Sequence, residues 1–315
     1  MTRMRHMENT PNLICVDVAK SELVLFDGKK TWAIPNEKEA INSVLKEFPK
    51  HRIVCEPTSI YHLELATLEF KNRNEVSLVN PKEIKNYRDC RAFRAKTDRI
   101  DACAIYEFSI RHYEALRLWK PPAKQLEKLY KLISQRSCVV RNRVTLRQVF
   151  GQDQAIKPVI SETTTLVEVL ESQISEIAKS YEDYLRFSPM PGVGPLVCAT
   201  LVYLFNRYEF ADDDAAVAFV GIDLRVSDSG KYKGSRRLSK RGDPLIRNIL
   251  IQGGFGLMIS KAASQAKRKF DAAGRHRTEQ GVIAARKILR TAYVLHNTKT
   301  DFDLSKWHWM VDNET

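Results

Sequence analysis

The chain has 315 residues, 43 % hydrophobic and 28 % charged, an ordinary globular composition that excludes disorder as the default and is long enough for two cores. Its 51 Lys and Arg against 38 Asp and Glu leave a formal charge of +13, a surplus that asks for an acidic partner, nucleic acid being the commonest. The polar start and the short apolar stretches, such as 196–205, predict neither a signal peptide nor a membrane span, so a cytoplasmic protein is expected.

The first hundred residues alternate in a readable order. LICVDV (13–18) is a short apolar run rich in β-branched residues, ELVLF (22–26) a second strand, and Asp27-Gly28 a tight turn into KTWAI (30–34). Asn36 is expected to cap a helix over EKEAINSVLKEF, with Ile41, Val44, Leu45 and Phe48 on one stripe. RIVCE (52–56) is a fourth strand stopped by Pro57, the stretch 60–73 is helical, EVSLVN (75–80) a fifth strand, and Pro81 opens another helix. Three strands in hairpin order, then helix, strand, helix, strand, helix, is the succession of an α/β RNase H-like domain.

From about Asp101 the pattern turns helical. One helix is expected to run to 117 before Lys120-Pro121-Pro122 breaks it. Two charge-laced stretches follow, 123–150 and 162–186. In the second, Leu166, Val169, Leu170, Ile174 and Ile177 recur at three- and four-residue spacing, which predicts an antiparallel helical pair or coiled-coil arms. Beyond Ser188-Pro189-Met190-Pro191 a mainly α domain is expected to begin. The domain limits read this way are 1–118, a helical spacer at 119–187, and 188–315.

Six cysteines, at 15, 55, 90, 103, 138 and 198, form no CxxC pair and have no His at ligand spacing, so zinc is not expected and all six are read as reduced. Acids are a different matter. Asp17 lies in an apolar strand, where an unpaired charge is costly. Glu56 ends the fourth strand, next to the first in an RNase H-like sheet, and Asp98 and Asp101 are three apart at a helix start. Four converging carboxylates repel unless cations are present, and hard oxygen ligands suit Mg²⁺ or Mn²⁺. Taken singly, Asp98 also suits a helix N-terminus and Asp101 a solvated face.

The second half carries the cations. Gly192 and Gly194 in PGVGP, ahead of an apolar helix, suggest a helix-hairpin-helix-like turn that lets backbone approach phosphate; a plain turn between core helices fits equally. Between 225 and 247 stand Arg225, Lys231, Lys233, Arg236, Arg237, Lys240, Arg241 and Arg247, interrupted by glycines, in the manner of a phosphate cradle. Ser239, among these cations, is by residue type a nucleophile, a helix N-cap or a phosphate binder, and Ser227, Ser229 and Ser235 are its rivals.

Three stretches carry a family resemblance. ICVDVAKSELVL and VCEPTSIYH resemble the first two acidic motifs of the DEDD-type insertion-sequence transposases and the related Piv-like pilin-gene DNA invertases, and RAFRAKTDRIDACAI resembles their "KTD-x-x-DA" signature. LSKRGDPLIR resembles their C-terminal "SK-x-G-x-x-x-x-R" motif, with Ser239 on its serine. The resemblance implies a RuvC-like nuclease domain whose metal ligands are Asp17, Glu56, Asp98 and Asp101. It also implies Mg²⁺-dependent cutting and rejoining of double-stranded DNA, and attack by Ser239 to give a transient phosphoserine. A homodimer or homotetramer, association with the bacterial nucleoid when acting, and in some members a guide (bridge) RNA belong to the same expectation. A metal-dependent structure-specific endonuclease without a covalent step, and a non-catalytic nucleic-acid-binding protein, are the alternatives.

Overall fold

The computed structural model describes residues 12–48, 50–58, 60–91, 98–225 and 237–307, without the side chains of Leu45, Asp98, Leu224, Arg225 and Arg237. The chain packs as two compact units, Met1–Pro121 and Pro122–Thr315.

Unit one is built on a mixed five-stranded sheet. β1 (Leu13–Val18), β2 (Glu22–Phe26) and β3 (Thr31–Pro35) form an antiparallel meander, and β4 (Arg52–Cys55) and β5 (Glu75–Leu78) join in parallel, giving the order β3-β2-β1-β4-β5. The Asp27-Gly28 turn forms as expected: Asp27 Oδ1 accepts from the Lys29 and Lys30 amides, both at 2.8 Å, and Gly28 has φ 91°, a region that favours glycine. β1 and β4 are adjacent, with Val16 opposite Cys55.

The two-residue period of β1 sends its side chains to opposite faces. Ile14, Val16 and Val18 pack on one face with Ile41 of α1 (Lys38–Leu45) and with Leu65 and Ala66 of α2 (His62–Lys71). Leu13 and Cys15 pack on the other with Ile84 of α3 (Pro81–Cys90) and Ile105 of α4 (Asp98–Arg111). A buried pair braces the first face: His51 Nε2 lies 2.8 Å from Glu69 Oε2, which also accepts from Asn74 at 2.9 Å.

Three local expectations need correcting. Asn36 is not the cap of α1; Glu37 holds that position, and the Asn36 amide donates to the carbonyls of Ala19 (2.9 Å) and Tyr61 (3.1 Å), a tertiary use that outweighs the local one. β4 ends at Cys55, leaving Glu56 one residue beyond. α4 stops at Arg111, and the chain turns through a 3-10 segment at Tyr113–Ala115 so that Leu118 bridges to Ser77 beside β5.

Unit two is mainly helical. α5 (Lys124–Phe150) and α6 (Lys157–Lys179) run antiparallel, as the pairs Arg136–Glu171 and Arg143–Thr164 require. Their proximal halves share one core with the rest of the unit, through Leu129 and Ile133 on α5 and Leu170, Ile174 and Ile177 on α6. Leu170, Ile174 and Ile177 are buried as expected, but Leu166 and Val169 are exposed and Val167 is buried, because the buried stripe of α6 runs through 167, 170, 174 and 177 and leaves the flanking apolar positions outside it.

The same core takes in α7 (Glu182–Phe187), α8 (Pro195–Arg207), α9 (Asp213–Val220), α10 (Pro244–Ile259), α11 (Ser264–Ala272) and α12 (Arg277–Thr298). α10 and α12 cross with backbone almost in contact: a Cβ on Gly254 would lie 2.0 Å from the Gly281 carbonyl oxygen. A short ribbon, β6 (Leu224–Arg225) with β7 (Arg237–Leu238), stands between α9 and α10. Among the described residues no helix is long and apolar enough to cross a membrane.

Candidate active site

In unit one the parity of the strands aims the acids. Asp17 follows Cys15 on the α3/α4 face of β1, and Glu56 continues the face of Val54, whose side chain packs there too. Asp101, on the first turn of α4, is buried on the same side.

One cation connects them. Arg88 of α3 forms a salt bridge with Asp101 through Nη1 and Oδ1, the two side chains being 21 % and 13 % exposed. Its hydrogen bond to Asp101 chiefly, with the charges of Asp101, Glu56 and Asp17, pushes the guanidinium above its ordinary pKa against the cost of its burial. Carboxylates from β1, from the residue after β4 and from α4 thus all favour the charged form of this group, Asp101 by direct contact. The side chain of Asp98 lies outside the described residues, although its backbone begins the same helix as Asp101.

Arg88 is the cation that Asp101 meets in this structure. Among the described residues no group of three His, Cys, Asp or Glu side chains is arranged to hold a metal ion as it stands. Mg²⁺ takes oxygen ligands at about 2 Å. The donor set, carboxylate oxygens alone, fits that hard ion.

The Ser239 region is built with equal care. Asp223 precedes β6 and Ser239 follows β7, so the two form the next rung of that ribbon, and the Ser239 amide donates to the Asp223 carbonyl at 3.0 Å. The Ser239 hydroxyl donates to Asp223 Oδ1. Close backbone packing holds the rung in place. Gly221 has φ 77°, and a Cβ on it would lie 2.6 Å from the Arg241 nitrogen; one on Gly242 would lie 1.9 Å from the Phe219 carbonyl oxygen. The Lys240 amide donates to the Gly221 carbonyl at 3.1 Å, and Arg286 Nε to that of Ile222 at 2.8 Å.

The expected phosphate ligands divide. Lys240 and Arg241 are exposed beside Ser239. Arg247 is turned inward, 8 % exposed, and donates to the carbonyls of Gly242 (3.0 Å) and Val220 (3.3 Å), so it braces the loop. Arg225 and Arg237 are placed as backbone in the ribbon, while Lys231, Lys233 and Arg236, with the rival serines 227, 229 and 235, lie outside the described residues. Gly192, with φ 82°, faces α10: a Cβ there would meet the Leu257 nitrogen at 2.5 Å, so its glycine is explained by packing. Gly194, at the N-cap of α8, has open space around it.

Comparison with known proteins bears on both halves. A DEDD transposase pattern matches residues 14–151, the stretch that holds Asp17, Glu56, Asp98 and Asp101. The pattern of the transposase IS116/IS110/IS902 family matches residues 185–271, the stretch that holds the two glycines, Ser239 and the cations. The chain belongs to this transposase family. It is similar over most of its length to the pilin gene-inverting proteins of Moraxella bovis and Moraxella lacunata, at 21 % and 22 % identity over 318 residues, covering 92 % of this chain and 97 % of each relative. It is also 33 % identical over 90 residues to the transposase for insertion sequence element IS1111A of Coxiella burnetii (strain RSA 493 / Nine Mile phase I). That match takes in 28 % of this chain and 24 % of the relative.

Two site residues of this family member escaped the sequence. Arg88 sits in a helix whose register against β1 and β4 no local pattern announces. Asp223 was within reach: once 224–225 and 237–238 are paired, antiparallel register puts 223 opposite 239.

Proposed function

We propose that the chain is a site-specific DNA recombinase that cuts double-stranded DNA and rejoins it. The observation that carries this is the salt bridge of Asp101 to Arg88 on the face of the sheet to which strand parity also sends Asp17 and Glu56, in a chain of the transposase family. Asp17, Glu56, Asp98 and Asp101 would hold Mg²⁺ or Mn²⁺. Bound there, the ion supplies charge stabilisation to the phosphodiester oxygens.

This chain's own residues do the rest. Ser239 is the nucleophile, exchanging its hydroxyl proton for a bond to phosphorus, and so preserves the energy of the cut linkage for rejoining. Lys240 and Arg241 neutralise the phosphate under attack. Arg225, Lys231, Lys233, Arg236 and Arg237, with the N-terminus of α8 at Gly194, hold the DNA backbone. The functional division follows the limits 1–118 for the nuclease, 119–187 for a helical spacer and 188–315 for the serine-bearing domain. The chain works as a homodimer or homotetramer, because recombination cuts four strands. The exposed apolar side chains of α5 and α6, among them Val149, Phe150, Leu166 and Val169, form the assembly surface. A guide RNA is a second nucleic-acid partner in this reading.

The test uses the full chain and the DNA that flanks its own coding sequence. Asp17→Asn and Asp101→Asn are expected to stop strand cleavage with unchanged circular dichroism, and a chelator to stop the parent chain. Undiminished cutting in the chelator would refute the reading. Cut products that are never rejoined would indicate hydrolysis without a covalent step. Sequencing of co-purified nucleic acid reveals whether RNA accompanies the DNA.

A further inference from the structure

We propose that Asp223 is the proton acceptor that makes Ser239 a nucleophile; this rests on the reading of Ser239 as the attacking group. A serine hydroxyl is a weak nucleophile unless a base takes its proton within hydrogen-bond reach. Asp223 meets that requirement directly, with Oδ1 accepting from the Ser239 hydroxyl.

The arrangement is also constrained as a working pair would be. Ser239 is 6 % exposed, and its amide and hydroxyl both bond to the same residue, which fixes the rotamer of the attacking oxygen. The N-cap role open to Ser239 is taken by Asp243, whose Oδ1 accepts from the Leu245 amide at 2.7 Å and caps α10. The chain on both sides of the pair is immobilised through Gly221, Gly242, Arg247 and Arg286. Lys240, next in sequence, has φ 53°, an uncommon backbone conformation for a side-chain-bearing residue.

The step balances. The Ser239 proton passes to an Asp223 oxygen as the Ser239 oxygen forms its bond to phosphorus. The bond from phosphorus to the leaving deoxyribose oxygen breaks, and its electron pair leaves on that oxygen, which takes a proton from water. In rejoining, an incoming deoxyribose hydroxyl attacks phosphorus and loses its proton to water, while Asp223 returns the proton to the departing Ser239 oxygen.

Asp223→Asn keeps the shape and an acceptor oxygen and removes only the basicity, so it separates a base from a brace. Full-length protein expressed beside its own flanking DNA is denatured, and covalent protein–DNA adducts are counted with time. Asp223→Asn is expected to melt within a few degrees of the parent and bind the flanking duplex with similar affinity. Its adducts should form at least a hundredfold more slowly, the range general bases contribute. Asp223→Glu, which restores a carboxylate, is expected to recover a tenth or more of the parent rate. Adducts in Asp223→Asn within threefold of the parent would overturn the proposal. So would a folded, DNA-binding Asp223→Glu that recovers nothing, if Asp223→Asn fails to fold. Recombinant product without any adduct in the parent chain would instead remove Ser239 as nucleophile, and Asp223's role with it.

Discussion

Replacing Arg88 by Gln removes the salt-bridge partner of Asp101, a positive group that the charges of Glu56 and Asp17 also favour, and leaves the repulsion among the carboxylates without it. Two like charges about 6 Å apart at an effective dielectric near 20 repel by about 3 kcal/mol. Losing a partner of a buried ion pair costs a similar amount, and the partial exposure of Arg88 and Asp101 lowers it, so about 1–3 kcal/mol of metal-free stability is at stake. For a unit of this size that is a fall of roughly 3–10 °C in melting temperature. The consequence reverses when divalent ions are added. In the parent chain an entering ion must first displace the guanidinium; in Arg88→Gln it need not. Removing a competing interaction worth about 1.4 kcal/mol tightens apparent affinity about tenfold, and stabilisation by a ligand grows as RT ln(1 + [L]/Kd). Melting in EDTA and across a Mn²⁺ titration measures both effects, with calorimetric titration as an independent reading of affinity. If Arg88→Gln melts no lower than the parent in EDTA and responds no more strongly to Mn²⁺, the carboxylates do not form one anionic site. Arg88→Lys should fall between the two.

Asp183 is buried, which disfavours its ionised form, yet hydrogen bonds from His296 (2.7 Å), Asn206 (2.9 Å) and Arg186 (3.0 Å) outweigh this and hold its carboxyl below the usual range. A depressed folded pKa stabilises above the unfolded value, so Asp183→Asn should lower the melting temperature at pH 7, and the gap to the parent should close as pH falls below about 4. Gly254→Ala forces a methyl group to 2.0 Å from the Gly281 carbonyl oxygen and should destabilise unit two by about 1–3 kcal/mol, read by chemical denaturation. Gly242→Ala, at 1.9 Å from the Phe219 carbonyl oxygen, should abolish adduct formation by displacing Ser239, and normal adduct yields would contradict the rigidity argued for that turn. Exposed Cys90 and Cys138 should react with a thiol reagent under native conditions while Cys55, pushed up to about 12 by burial, stays inert until the chain unfolds.

Much of unit one was legible because its signals are local and repetitive. The alternation of LICVDV gave both the strand and the face on which Asp17 lies, and the succession of strands gave the adjacency of β1 and β4. What escaped depended on tertiary competition. Asn36 looks like a cap until the distant carbonyls of Ala19 and Tyr61 claim its amide. Leu166 and Val169 satisfy a helical stripe, but burial on α6 is decided by where α5 lies, and the sequence of α6 alone does not contain that. Arg247 reads as one more cation in a basic run, and only its carbonyl partners reveal a brace. Arg88 could not be read at all, since it becomes part of the acidic cluster only when α3 is folded beside α4. Ser239 illustrates the intermediate case: motif resemblance singled it out from three rival serines, and its partner then follows from strand pairing.

The two-residue ribbon has an evolutionary corollary. Asp223 and Ser239 are tied to each other at the end of β6 and β7 away from the 226–236 connection, and they are anchored by Gly221 just after α9, Gly242 just before α10, Arg247 of α10 and Arg286 of α12. A change in the length or the basic side chains of that connection is then expected to leave the pair in place, and a chain lengthened there should still form adducts. A mobile element could in this way retune its grip on a new stretch of genome while the hydroxyl and its carboxylate keep their places.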